Sequence, residues 1–275
     1  MSALREIEDG VRLLALRTPT LPPATATNTL VIGRRRLAVI EPATPYADER
    51  AALDALLGAL VGEGAEVAAI FLTHHHMDHT GYAAALRERT GAPIHAHAAT
   101  AARLDFSVDV LMADGDELAL DDGFSLAAMY TPGHAPGHLV FCERRTGLAY
   151  AGDLVAGVGT ILIDPDDDGD MTAYLASLDR LGAARPTALV PAHGPILDDP
   201  QACVRRYRAH RQMREDRVLA AILGAPRDLS EVLADAYSDT PTALWPLAAR
   251  SLEAHLRKLE AEGRVQRSGS AVIRA

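Results

Sequence analysis

Short apolar runs alternate with stretches of helical spacing along the first 200 positions. Thr27 to Ile32 (TNTLVI) and Arg36 to Ile40 (RLAVI) flank Gly33 and a basic turn, which predicts a β-hairpin. Arg50 to Val61 places Ala and Leu at helical intervals and predicts a helix. Val67 to Leu72 (VAAIFL) is short and continuous, the pattern of a strand buried on both faces, and THHHMDHTG follows it directly. Tyr82 to Arg89 predicts a helix closed by Gly91. Pro93 to Ala98, Phe124 to Tyr130, His138 to Glu143 and Leu148 to Ala151 predict strands, the last two joined by a turn at RRTG. Tyr174 to Leu181 predicts a helix, and Ala188 to Pro191 a strand tip ahead of AHGP. Sheet runs followed by helices imply helices on the outer faces of two stacked sheets.

The texture changes after Pro200. Cys203 to Leu223 predicts a long Arg-rich helix ended by Gly224 and Pro226. Asp228 is suited to cap a second helix, Leu229 to Tyr237. Thr242 to Glu262 predicts a third, bent at Pro246 and stopped by Gly263. Arg264 to Arg274 predicts a hairpin around Ser268-Gly269. Three helices and a hairpin are the order of elements in a winged helix. The expected fold class is therefore α+β, with a catalytic domain at 1–202 and a winged-helix-like domain at 203–275.

Charge agrees with two modules. Val204 onward carries 13 basic and 9 acidic residues (+4), whereas the first 203 positions carry 14 and 28 (−14), for a net −10. An acidic body argues against indiscriminate nucleic-acid binding there. The chain of 275 residues is 48% apolar, enough for a sizeable core, but only 4% aromatic, so packing rests on Ala, Leu and Val. Cys142 and Cys203 are far apart and in no metal-binding spacing; both are expected as buried small hydrophobes. Arg12 and Arg17 interrupt the one apolar stretch near the N-terminus, so neither an export signal nor a membrane span is expected, and the cytoplasm is the expected location. Arg and Ala richness points to a GC-rich bacterial genome.

The chemistry gathers at the strand ends. Residues two apart on extended chain project to one side, so His74 and His76 can share one ion while the following turn brings Asp78 and His79 towards a second. His134 in TPGHAPGH, Asp153 in AGD and His193 in PAHG each follow a strand and sit beside glycine, which lets backbone approach a site closely. Imidazole and carboxylate donors together suit zinc and its borderline neighbours. Without a metal, such a buried cluster is unstable. His75 is expected to point away from the ligands, and His95 and His97 to pack. His138 is divided between substrate binding and a plain strand start. His210, His255 and the loop Asp166-Asp167-Asp168 are expected to be solvated.

These motifs resemble the signature of the metallo-β-lactamase superfamily: His-x-His-x-Asp-His, a His in a Pro-Gly-His turn, Gly-Asp and Ala-His-Gly, in order over roughly residues 25 to 200. The resemblance implies an αββα sandwich. It also implies that His74, His76 and His134 hold one ion, that Asp78, His79 and His193 hold another, and that Asp153 bridges them. Two zinc ions, or iron or manganese in their place, would share and acidify a water, with Asp78 as a catalytic group that orients it or relays its proton. The diiron branch of the superfamily usually carries Glu where this chain has His76, which favours hydrolysis over redox chemistry. The segments 207–218 and 249–265 resemble the winged-helix region of the β-lactamase-like protein 2 group. Glu41 departs from the pattern, which often has Asp there, so support of the metal loop is expected to differ in detail.

Which bond is cut stays open at this point. The acidic body and the glyoxalase-like TPGHAPG turn favour a small acyl substrate, a thioester, ester or lactone. The basic tail favours single-stranded RNA as the alternative, through Arg250, Arg257, Lys258, Arg264 and Arg267. A third reading makes the winged helix a regulator or interaction module, a lid or a homodimer contact.

Overall fold

The computed structural model describes residues 4–121, 123–222, 226–268 and 271–275. Among these, the first sheet runs β1 (Leu4–Glu8), β2 (Val11–Arg17), β3 (Ala26–Ile32), β4 (Arg36–Ile40), β5 (Glu66–Phe71), β6 (Ile94–His97) and β7 (Val110–Met112), in that spatial order. The second is ordered β12 (Ala188–Pro191), β11 (Leu148–Gly152), β10 (Leu139–Glu143), β9 (Ser125–Tyr130) and β8 (Glu117–Ala119). Helices α1 (Ala47–Gly62), α2 (Met77–Thr80), α3 (Ala83–Thr90) and α4 (Ala98–Ala101) belong to the first half, and α5 (Met171–Ala184) follows β11.

Period-two alternation builds three hydrophobic layers from two sheets. On β4, Ala38 and Ile40 face the second sheet, where they join Phe71, Phe141 and Tyr150 in the inter-sheet core. Leu37 and Val39 face outward and pack with Leu53 and Leu57 of α1 and Leu86 of α3. The outer face of the second sheet meets Tyr174, Leu178 and Leu181 of α5. Both faces of each sheet are covered, which is why the strands read as continuous apolar runs. The αββα expectation holds.

The C-terminal region contains α6 (Pro200–Ala221), α7 (Leu229–Ala236), α8 (Trp245–Ala261) and a small sheet of β13 (Arg227–Asp228), β15 (Ala271–Arg274) and β14 (Val265–Ser268). This is the winged-helix order. The division expected at 202/203 falls inside α6, which serves two cores. Cys203, Val204 and Tyr207 pack with the catalytic layer, whereas Val218, Leu219 and Ala221 pack with α7 and α8. Asp228 caps α7 in a capping box with Glu231. Pro246 lies in the first turn of α8, where its missing N–H costs nothing, so the expected bend is absent. The expected stop at Gly224 and turn at Gly269 lie outside the described residues. Sequence reading missed the hairpin β1–β2, although Asp9-Gly10 between two alternating runs is a turn signal for it.

The expectation for His255 fails. His255 is 1% exposed on α8, not solvated, and neither ring nitrogen has a partner. Burial, then Arg211, Lys258, His210 and Arg214, push its pKa down from 6.5 to about 3. The unfolded chain therefore takes up a proton that the folded chain refuses. This residue's contribution to stability is complete above pH 6.5 and is lost as pH falls towards 3. Urea titrations of wild type and His255→Leu at pH 7.5 and pH 5 should show the variant gaining about 2 kcal/mol relative to wild type at the lower pH. An equal difference at both values would contradict this.

Candidate metal centre

Strand register assembles the site at one edge of the sandwich. Parallel pairing places Ile40 opposite Phe71, so Glu41 lies beside the segment that carries Thr73 and His74. Parallel pairing of β11 with β12 sets Gly152 opposite Pro191, which puts Asp153 and His193 side by side just beyond the strands. His134 follows β9, where Gly133 has φ +131° and a Cβ would lie 2.2 Å from the Tyr174 nitrogen, so glycine is required there.

Three ring nitrogens meet in one place. His74 Nε2 and His76 Nδ1 are 2.8 Å apart, and His134 Nε2 lies 3.3 and 3.1 Å from them. Nitrogens bound to one tetrahedral ion at about 2.0–2.1 Å would be about 3.3 Å apart. The second group is Asp78, His79 and His193, and these three offer ligand atoms within 4.8 Å of one another. Asp153 faces both groups: its Oδ2 is 3.6 Å from His134 Nε2 and 3.7 Å from His79 Nε2, and its Oδ1 is 3.5 Å from His193 Nε2. All seven expected ligands converge.

Partners on the far side of each ring fix which nitrogen faces inward. His79 Nδ1 donates to Glu41 Oε2 (2.9 Å), His134 Nδ1 to the Leu162 carbonyl (2.8 Å), and His193 Nδ1 to the Ala26 carbonyl (2.9 Å). His76 Nε2 donates to Asp167 Oδ2 at 2.5 Å. The Thr73 hydroxyl donates to Glu41, so it accepts from His74 Nδ1 at 2.8 Å. Every ring therefore turns its other nitrogen towards the site, the atom that binds a metal when it carries no proton. Burial, then neighbouring imidazoles, hold His74 and His134 well below the usual histidine range and so uncharged.

Two observations fit a cation. His79 Nε2 and Asp153 Oδ1 are buried with no hydrogen-bond partner. Burial opposes charge on His79, yet Glu41, Asp78 and Asp153 outweigh it and push its pKa up to about 10. Such a carboxylate field is what a metal ion satisfies.

Glu41 takes the role its sequence departure hinted at. It is fully buried and accepts from His79, Thr73 and Tyr150. The loop 166–168 is solvated in part only: Asp166 and Asp168 are exposed, the latter pairing with Arg103, whereas half-buried Asp167 departs from the expectation and holds His76. His138 is also corrected. It is fully buried just ahead of β10, with no face open to the cavity as substrate binding would need, and its Nε2 accepts from the Asp153 backbone N–H (3.0 Å). His75 points off the ligand cluster, 3.4 Å from Asp167; His95 stacks on Phe71 and His97 on Tyr130, as packing residues do. His210 is half-buried and lines a cavity that opens onto the ligands.

Comparison with known proteins agrees with this geometry. A family model described as the metallo-beta-lactamase superfamily matches residues 22–193. The chain belongs to the metallo-β-lactamase superfamily. A second model, the beta-lactamase associated winged helix domain, matches residues 229–274. The chain is 29% identical over 222 residues to a beta-lactamase-like protein 2 homolog of Drosophila melanogaster, covering 76% of this chain and 74% of that protein. It is 32% identical over 193 residues to a hydroxyacylglutathione hydrolase of Fuscovulum blasticum, covering 65% and 71%. The crystal structure of a metallo-beta-lactamase family protein from Thermus thermophilus shares the fold, with TM-score 0.80, 24% identity and coverage of 98% and 100%. Metallo-β-lactamase superfamily relatives are hydrolases, and this chain is a hydrolase with a His/Asp metal-binding cluster.

If outward hydrogen bonds hold the ligands, Glu41→Gln and Asp167→Asn should each weaken metal binding by about 10–100-fold. Cobalt(II) titration followed by its visible absorption reads this directly, with circular dichroism reporting the fold. Affinities equal to wild type would mean the rings need no such support.

Proposed function

We propose a binuclear, zinc-loaded hydrolase that cleaves a thioester or ester carbonyl of a small acyl substrate. The observation that carries this reading is a cavity of about 590 Å³ lined by His76, Asp78, His134, Asp153 and His193. Leu21, Val158, Ile161, Leu162 and Leu247 line it too, a surface suited to an acyl chain. His74, His76 and His134 would hold one ion, Asp78, His79 and His193 the other, with Asp153 between them. Bound cations would supply Lewis acidity, polarising the carbonyl and acidifying a water.

The remaining work falls to the chain. Burial opposes the charge on Asp78, but His79 and other neighbours outweigh it and hold its pKa below the usual range. Asp78 is therefore ionised at neutral pH and able to accept a proton from the attacking water at its Oδ. The apolar lining of the cavity orients the acyl group and keeps bulk water from the carbonyl. The hydroxyacylglutathione hydrolase among the relatives, whose name describes a thioester substrate, supports the same class of bond.

The RNA alternative loses its electrostatic footing. Arg250 pairs with Asp164, Arg257 with Glu253, Lys258 and Arg264 with Glu215, and Arg267 with Glu253. Each basic group offered for phosphate is already matched by an internal carboxylate, which lowers the counterion release that drives such binding.

Metal-loaded protein should hydrolyse acyl-CoA or glutathione thioesters, with activity abolished by chelation and reduced at least about 100-fold by Asp78→Ala. A labelled oligoribonucleotide should stay intact in parallel. Cleaved RNA with untouched thioesters would reverse the ranking.

A further inference from the structure

The C-terminal region forms part of the wall of the cavity that holds the metal ligands. Arg211 and Arg214 of α6 and Tyr237, just after α7, line that wall. Arg214 is spoken for: its guanidinium grips Asp239 through two hydrogen bonds of 2.6 and 3.1 Å and stacks on the Tyr237 ring at 4.7 Å. Arg211 differs. It is 3% exposed, and among the described residues no carboxylate forms an ion pair with it. Its Nη2 donates to the Ile161 carbonyl, its guanidinium lies 5.1 Å from the Tyr174 ring centre, and its Nε is buried without an acceptor. Tyr237 is 4% exposed, and its hydroxyl likewise has no partner.

A buried guanidinium without a counter-ion, beside a buried hydroxyl without an acceptor, is costly to maintain. Neither group serves the folding of its own helix, and both line the cavity in which the proposed substrate would lie. Guanidinium and phenol are both donors, and their shared complement is an oxygen anion.

We propose that Arg211 and Tyr237 form a recognition site for an oxyanion carried by the substrate, apart from the metal ligands themselves. The winged helix then acts as the specificity wall of the active site. This rests on the carbonyl-hydrolase reading for where the bond lies, but the oxyanion site itself stands on the two unpartnered donors. The oxyanion belongs either to a carboxylate ending the acyl chain or to a phosphate on the thiol side.

Two substrate pairs separate these sources. Glutaryl against pentanoyl thioesters of N-acetylcysteamine test the acyl end; pentanoyl thioesters of phosphopantetheine against N-acetylcysteamine test the thiol end. In one pair the anionic member should be favoured by roughly 10–100-fold in kcat/KM, mainly through KM. Tyr237→Phe should erase most of that preference without lowering the melting temperature, because the hydroxyl bonds to nothing in the folded chain. Arg211→Lys, which keeps the charge and loses the planar fork, should weaken it too. Calorimetric titration of metal-loaded wild type and both variants with glutarate and with inorganic phosphate runs alongside. Absence of preference in both pairs, or preference and anion binding that ignore both substitutions, would overturn the proposal. Anion binding sensitive to Tyr237→Phe without turnover of any thioester would leave the site standing and remove the carbonyl-hydrolase reading instead.

Discussion

Five imidazoles crowded at one edge of a sheet sandwich can serve a metal only if each presents a lone pair inward, and that orientation is enforced from outside the cluster. Glu41, Thr73, Asp167 and the carbonyls of Ala26 and Leu162 each take the outward N–H. Remove those acceptors and the rings are free to rotate, to pair with one another or to take up protons. The donors in turn depend on strand register. Glu41 reaches His79 because β4 runs parallel to β5, and Asp153 meets His193 because β11 runs parallel to β12.

This constraint explains why so much of the sequence is given to apolar alternation. Burying Glu41, His74 and His79 completely is tolerated only inside a rigid, well-packed frame with every outward polar atom matched. Three stacked cores supply that frame. Among the described ligand side chains, the buried atoms left without a hydrogen-bond partner, His79 Nε2 and Asp153 Oδ1, are those aimed at the place where an ion would sit.

The ligands themselves were legible in sequence, because His-x-His-x-Asp-His and glycine-flanked His and Asp at strand ends are local patterns with a direct chemical meaning. The helices and central strands were legible for the same reason, since periodicity is local. What surrounds the ligands was not. Asp167 reaches His76 from 91 positions away, in an acidic loop whose composition suggests only solvation. His138 gave no sign that it would sit beneath Asp153, nor His255 that its face of α8 is buried. Arg211 and Tyr237 belong to a helix and a turn whose sequence reads as ordinary winged helix; their meaning arises from α6 spanning two cores, which brings the C-terminal region over the cavity. Long-range contacts of this kind leave no periodic trace.

The winged helix is thus continuous with the active site in structure, sharing α6 with the catalytic layer and clasping the 164–168 loop through Arg250 and Arg257. That sharing brings residues of the C-terminal region and metal ligands to one cavity. The most direct test of the metal centre is zinc content by elemental analysis after metal loading and exhaustive dialysis against metal-free buffer. Two equivalents per chain, falling to about one in Asp78→Ala, are what the seven converging side chains predict; a wild-type chain that emerges with no retained metal would contradict it.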